Sequence, residues 1–201
     1  LPPEDRLTAA GVSYLPPAAR GDVERAAAEF DAVLLIDGVF HQDLAPSPKE
    51  CYRAAQIARC FGASSMGALR AAECRPYGFA PLGAIARWYV EAVVDGDDEV
   101  AILVDPGTQR ALTVPLVNVR YVAWLAGRRQ ILLPDECARL IAESREIFYT
   151  ERTWRDVAEL APARARNAIR AIAEREGDLK RHDARFAVRF MLRTRLMPAH
   201  A

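Results

Sequence analysis

Ser64 and Ser65, set between Gly62-Ala63 and Met66-Gly67, are the residues best suited by type and spacing to do chemistry. Glycines around a hydroxyl pair let the backbone turn sharply and come close to a ligand. The alanine-rich stretch that follows, to Ala71-Ala72-Glu73, reads as a helix, so the serines fall at its start. N–H groups lack partners there and the helix dipole favours negative charge. Such a corner can hold an anion. It can also present a nucleophile, because Ala63-Ser64-Ser65-Met66-Gly67 is one small-residue change from the G-x-S-x-G elbow. Capping of the helix without chemistry is the third reading. If Ser65 attacks an acyl carbon, the Met66 N–H is the natural oxyanion donor. Asp37, in an Asp37-Gly38 turn, and His41 just beyond it are candidate base or orienting groups. Gly38, Gly62, Ala63, Met66, Gly67, Arg70 and Glu73 complete the candidate binding set. Arg70 and Glu73 stand three apart on one helix, so they either pair on its surface or turn Arg70 toward the anion. Asn118 and Arg120, at a later helix start, either close the site or cap that helix.

The elements that must position these residues are legible around them. Asp22 is expected to cap a short helix over Val23–Glu29. Ala32-Val33-Leu34-Leu35-Ile36 is a continuous branched apolar run, suited to a strand covered on both faces. Ser47-Pro48-Lys49-Glu50 is a capping box with proline at the first helical position, and it starts a helix running to about Gln56. Ile57 to Phe61 reads as a second strand. Strand, helix, strand, helix in this order calls for a parallel sheet. Loops after parallel strands emerge at one edge, so the Asp37 turn and the serine corner should be neighbours.

Pro76-Tyr77-Gly78 breaks the chain before a helix expected from Leu82 to Val93. Val100 to Val104 and Ala111 to Val114 read as short strands around the Asp105-Pro106-Gly107 turn. From about Leu116 the pattern is helical: one helix through Val117–Ala126, one from Pro134, one from Pro162 and one from Asp178 to Leu196. On the last, Arg181, Arg185, Arg189 and Arg193 recur every four residues along one face, either a solvated stripe or a docking face for an acidic partner. The fold class is α/β: a small parallel or mostly parallel sheet flanked by helices, followed by a helical C-terminal part. The expected division is a core over 1–115 and a helical subdomain over 116–201.

Bulk properties narrow the function. The 201 residues are 51% hydrophobic, enough for a full core. Charge balances at 27 basic against 27 acidic residues, so nothing draws the chain as a whole to nucleic acid. Residues 151–201 are mildly basic and the rest mildly acidic. Lysine is confined to Lys49 and Lys180, and the arginine bias weakens any phosphate-binding argument. No apolar run is long enough to cross a membrane, and the first residues do not resemble a signal peptide. Cys51, Cys60, Cys74 and Cys137 show no C-x-x-C spacing and suit a reduced, cytoplasmic protein. His41, His182 and His200 form no zinc pattern, and Asp97-Asp98-Glu99 has no EF-hand spacing. Neither a metal nor a cofactor is expected. The pattern carries no signal for oligomeric state.

Several ordered motifs resemble the TfuA-like core family. They are Arg20-Gly21-Asp22, Leu35-Ile36-Asp37-Gly38-Val39-Phe40, Ser47-Pro48-Lys49-Glu50 and the run from Gly62 to Glu73. Asp97-Asp98-Glu99-Val100-Ala101, Pro115-Leu116-Val117-Asn118-Val119-Arg120 and, more loosely, Tyr149 to Trp154 continue it. The resemblance implies a role in thioamide formation beside a YcaO protein, which activates a peptide amide oxygen with ATP before sulfur replaces it. It further implies that such a protein releases or delivers sulfide, from the C-terminal thiocarboxylate of a ThiS-like sulfur carrier. The alternative is a non-catalytic partner that binds YcaO and recruits the sulfur source. Two departures stand out. Family members begin with a strand ending in a Gly-Pro-Ser-Leu-like turn, whereas this sequence starts at Leu1, at the end of that turn. The glycine usual before the second strand is also missing near Gln56-Ile57.

Overall fold

The computed structural model describes residues 3–7, 9, 11–39, 44–105, 107–108 and 110–194. It divides into two compact units, residues 1–95 with 180–201, and residues 96–179. The first unit carries a three-stranded parallel sheet, β1 (Ala32–Leu35), β2 (Arg59–Gly62) and β3 (Phe79–Pro81), in that order. Val33 pairs with Cys60 and Cys60 with Phe79, so the strands are in step and their C-terminal ends lie along one edge. Helices α1 (Asp22–Glu29), α2 (Pro48–Ile57), α3 (Met66–Cys74) and α4 (Gly83–Val90) connect and flank them. The α/β class with a helical C-terminal part is therefore the observed architecture.

Local chemistry explains where the helices begin. The Ser47 hydroxyl accepts from the Glu50 N–H at 3.2 Å, and the Glu50 carboxylate accepts from the Ser47 N–H at 3.4 Å, closing the expected capping box. Glu50 also accepts the Val23 N–H at 2.9 Å, so one buried carboxylate serves the starts of α1 and α2 together. Asp22 is the first residue of α1 rather than its cap, and its carboxylate reaches back to the Ala19 N–H at 2.8 Å. Gly21, at φ 91°, takes the cap position. Under the sheet, Val23, Ala27, Leu35, Cys51, Ala54, Cys60, Ala71, Cys74 and Phe79 form one apolar cluster. Burying the Phe79 ring alone contributes roughly 1.5–3 kcal/mol. The hydrogen bond with Cys74 and burial push the Cys51 thiol up, and burial pushes Cys60 up to about 11. These thiols are core residues held as neutral groups, not nucleophiles.

The second unit is helical, with α5 (Leu116–Arg128), α6 (Pro134–Glu146), α7 (Trp154–Leu160) and α8 (Arg166–Glu176) around a core of Leu116, Val119, Val122, Leu140, Val157 and Ile169. The strand expected over Val100–Val104 is reduced to an isolated antiparallel bridge between Val104 and Ala111. Its start is absorbed into a tight turn at Asp97–Glu99, because Glu99 is drawn wholly inside to pair with Arg120. Arg152, 1% exposed, donates to the carbonyls of Ser144, Ile147 and Val114 and ties three segments together. The last helix, α9 (Leu179–Arg193), returns from Lys180 onward to the first unit.

Candidate functional site

The turn after β1 and the turn after β2 meet at the C-terminal edge of the sheet. Ser65 and Gly67 both donate their N–H to the Ile36 carbonyl, at 3.3 and 3.2 Å, and Ala63 donates to the Leu35 carbonyl at 3.1 Å. The approach leaves no room for side chains. A Cβ on Gly67 would stand 1.9 Å from the Leu35 oxygen, and one on Gly62 would stand 2.1 Å from the Gly67 oxygen. Both glycines are thus demanded by helix-on-strand packing at this corner, as close backbone contact generally demands. Gly38 is looser: an added Cβ would meet the Ala18 oxygen at 3.1 Å and Met66 Cγ at 3.2 Å.

The two serines have separate fates. Ser64 is buried and left-handed at φ 70°, a conformation that costs a non-glycine residue roughly 1–2 kcal/mol. Its hydroxyl donates to the Lys180 carbonyl at 2.8 Å, which fixes the first turn of α9 on the corner. Ser65 occupies the cap position of α3 and makes no side-chain capping bond. Ser65 is itself buried, 4% exposed. The plain capping reading therefore fails for both hydroxyls.

The backbone donors at the start of α3 are largely committed. Ser65 and Gly67 serve Ile36, while Ala68 and Leu69 turn back to the Ser65 carbonyl at 2.9 and 3.4 Å. Among the described residues the Met66 N–H has no such acceptor. The positive φ of the corner falls on Ser64, while Ser65 stands at φ −112° beside the Met66 N–H. A nest for a multiply charged anion needs several free donors.

Asp37 is half-buried in the neighbouring turn. Its Oδ1 accepts from the Gly38 N–H at 3.1 Å, and its carbonyl accepts from the Ala18 N–H at 3.0 Å. His41 lies outside the described residues. Arg70 does not face the corner as a spare cation. Its Nε donates to the Pro46 carbonyl at 2.6 Å and its Nη1 to Glu73 Oε2 at 2.6 Å, which ties α3 to the loop before α2. Asn118 and Arg120 belong to the other unit. Asn118 donates to Asp178 at 3.2 Å, and Arg120 grips Glu99 with two bonds, at 2.9 and 2.6 Å. Among the described residues no group of three or more His, Cys, Asp or Glu could hold a metal ion.

Asp183 was not foreseen. Helix α4 starts at Leu82-Gly83 with no capping side chain of its own. Asp183, from α9, supplies the cap by accepting the Ala84 and Ile85 N–H groups at 2.9 and 2.8 Å. Gly83, at φ 88°, leaves the carboxylate room, since a Cβ there would stand 2.6 Å from it. Burial pushes the Asp183 carboxyl above the ordinary aspartate range, and the two N–H groups offset only part of that. The legible signal was the uncapped start of α4, whose first N–H groups had to find a partner elsewhere. Lys180 and Asp183 together bring α9 to the edge where the Ser65 hydroxyl stands.

Among the described residues no helix is long and apolar enough to cross a membrane. No curated protein matches the sequence. A sequence model described as TfuA-like protein matches residues 37–153, more than half of the chain and inclusive of the serine corner. The chain therefore belongs to the TfuA-like family, and with it to the YcaO-associated chemistry of thioamide formation.

Proposed function

We propose that the chain releases sulfide from the C-terminal thiocarboxylate of a ThiS-like sulfur carrier and passes it to a YcaO protein. The observation that carries this reading is the contrast between the two serines. Ser64 is spent on Lys180, whereas among the described residues Ser65 makes no side-chain capping bond and the Met66 N–H beside it has no backbone acceptor. In the proposed reaction Ser65 Oγ attacks the thioacyl carbon, and the Met66 N–H takes the developing oxyanion. The C–S bond breaks, and the serine proton leaves with sulfur as hydrosulfide. Water then hydrolyses the Ser65 acyl ester and frees the carrier carboxylate. Hydrosulfide is a good leaving group, so modest base assistance from the Asp37 turn suffices. No metal or cofactor enters these steps.

Thiocarboxylated carrier mixed with the protein, with and without YcaO, should yield free sulfide, and Ser65→Ala should reduce it by at least about a hundredfold. Release unchanged by Ser65→Ala would refute the role of the corner. The alternative, a non-catalytic adaptor that recruits the sulfur source to YcaO, draws support from Asp37, whose Oδ1 is engaged by its own turn. Under that reading the carrier stays intact without YcaO, and directly added sulfide still requires the protein.

A further inference from the structure

Two parallel rows run along the outer side of α9. One holds Arg181, Arg185, Arg189 and Arg193 at four-residue spacing. The other holds His182, Phe186 and Phe190, also at four-residue spacing, and both rows follow from helix geometry. Along them lies a groove of about 440 Å³, with Thr194 also in its lining. Its aromatic floor is anchored. Phe190 meets Phe61 of β2 edge-on, with ring centroids 6.4 Å apart, and Phe186 lies at 6.4 Å from Phe190 while 52% exposed.

The chain itself shows what the arginine row binds. Arg181 grips the Asp5 carboxylate with two bonds and reaches Glu4 at 3.7 Å, and Arg185 reaches Asp5 at 3.7 Å. Arg181 accordingly holds the Asp5 carboxyl below the usual carboxylate range. The row is thus half filled by an acidic turn of its own chain. Its other half is not: Arg189 and Arg193 are exposed and make no ion pair among the described residues. Among the described residues no acidic side chain lines the groove.

We propose that Arg189, Arg193 and Phe186 form a docking groove for an extended acidic segment of a partner protein, one that alternates carboxylates with an aromatic or aliphatic side chain. Carboxylates continue the pattern set by Glu4 and Asp5, and the apolar side chain covers Phe186 and Phe190. Charge complementarity at such a rim gives specificity and rapid encounter, with strong salt dependence. The groove is independent of the chemistry at Ser65.

The test uses the whole chain and a fluorescein-labelled peptide alternating glutamate with phenylalanine, followed by anisotropy. Saturable binding is expected, weakened about tenfold or more by Arg189→Glu with Arg193→Glu, severalfold by Phe186→Ala, and progressively by salt. The charge-neutral pair Arg189→Gln with Arg193→Gln should weaken binding to an intermediate degree, and all variants should keep the wild-type circular dichroism and Tm. Absence of binding, equal binding by the charge-reversed protein, or tighter binding of a single-stranded oligonucleotide than of the peptide would each overturn the proposal.

Discussion

The Ser64 hydroxyl donates to the Lys180 carbonyl across 116 positions of sequence, so the sharp bend at the end of β2 is finished by the last helix. Ser64→Ala keeps the left-handed strain and loses the bond, and it should cost about 1–2 kcal/mol. Ser64→Gly loses the same bond but relieves the strain, so its net cost should be near zero. Denaturant titration of the two variants checks this order. Ser65→Ala should leave the midpoint within about 0.5 kcal/mol of wild type while sulfide release falls.

Gly67→Ala places a methyl group 1.9 Å from the Leu35 oxygen, a clash of backbone against backbone that no rotamer relieves. We expect a loss of more than about 3 kcal/mol, or no soluble protein. Gly38→Ala, with contacts of 3.1–3.2 Å, should cost no more than about 1–2 kcal/mol. Similar losses at both positions would contradict the packing described for the corner.

Asp183 gives a pH dependence of definite sign. Burial raises its carboxyl in the folded chain, so the fold favours the protonated form. Its contribution is fully present below the ordinary aspartate pKa and is lost as pH rises through the raised folded value. Asp183→Asn keeps one of the two acceptor oxygens, sets an amide NH2 against the other N–H and buries no charge. It should flatten the pH profile of Tm between mildly acidic and neutral conditions and lose less stability than removal of both acceptors. Asp183→Ala should instead lose about 1–3 kcal/mol, because two helix-start donors are left without an acceptor. Thermal melts across pH discriminate these outcomes.

Arg120→Ala strands the fully buried Glu99 without its cation and should cost about 3–5 kcal/mol. Adding Glu99→Leu to Arg120→Ala removes both charges, and the double variant should recover much of that loss. A double-mutant cycle followed by urea unfolding measures it. If Arg120→Ala left stability intact and lowered only sulfide release, a role in binding would replace the structural one.

Much of this edge could be read from residue order. The capping box at Ser47–Glu50, the turn at Asp37-Gly38 and the glycine-flanked serines are local signals, and each sits where local chemistry puts it. Less legible were the partners chosen by side chains. Arg70 and Glu73 do pair on α3, yet nothing in their spacing announced the Pro46 carbonyl that Arg70 also holds. Phe79–Pro81 is a strand of only three residues with no alternation to betray it, and tertiary pairing with β2 decides its state. Val100–Val104 carried the β-branched composition of a strand, but the buried Glu99 beside it pulls the chain into a turn. Asp183 on an arginine-rich helix gave no hint of its target, because a helix pattern records a buried face and not the element that the face will cover.

The first unit is interrupted: the chain leaves it after Asp95 and re-enters at Lys180. During synthesis on the ribosome, the nascent chain therefore exposes an unfinished serine bend, and an α4 start with no acceptor, until α9 has emerged from the exit tunnel. A product released before Lys180 should accumulate as a chaperone client with its second unit, residues 96–179, already assembled.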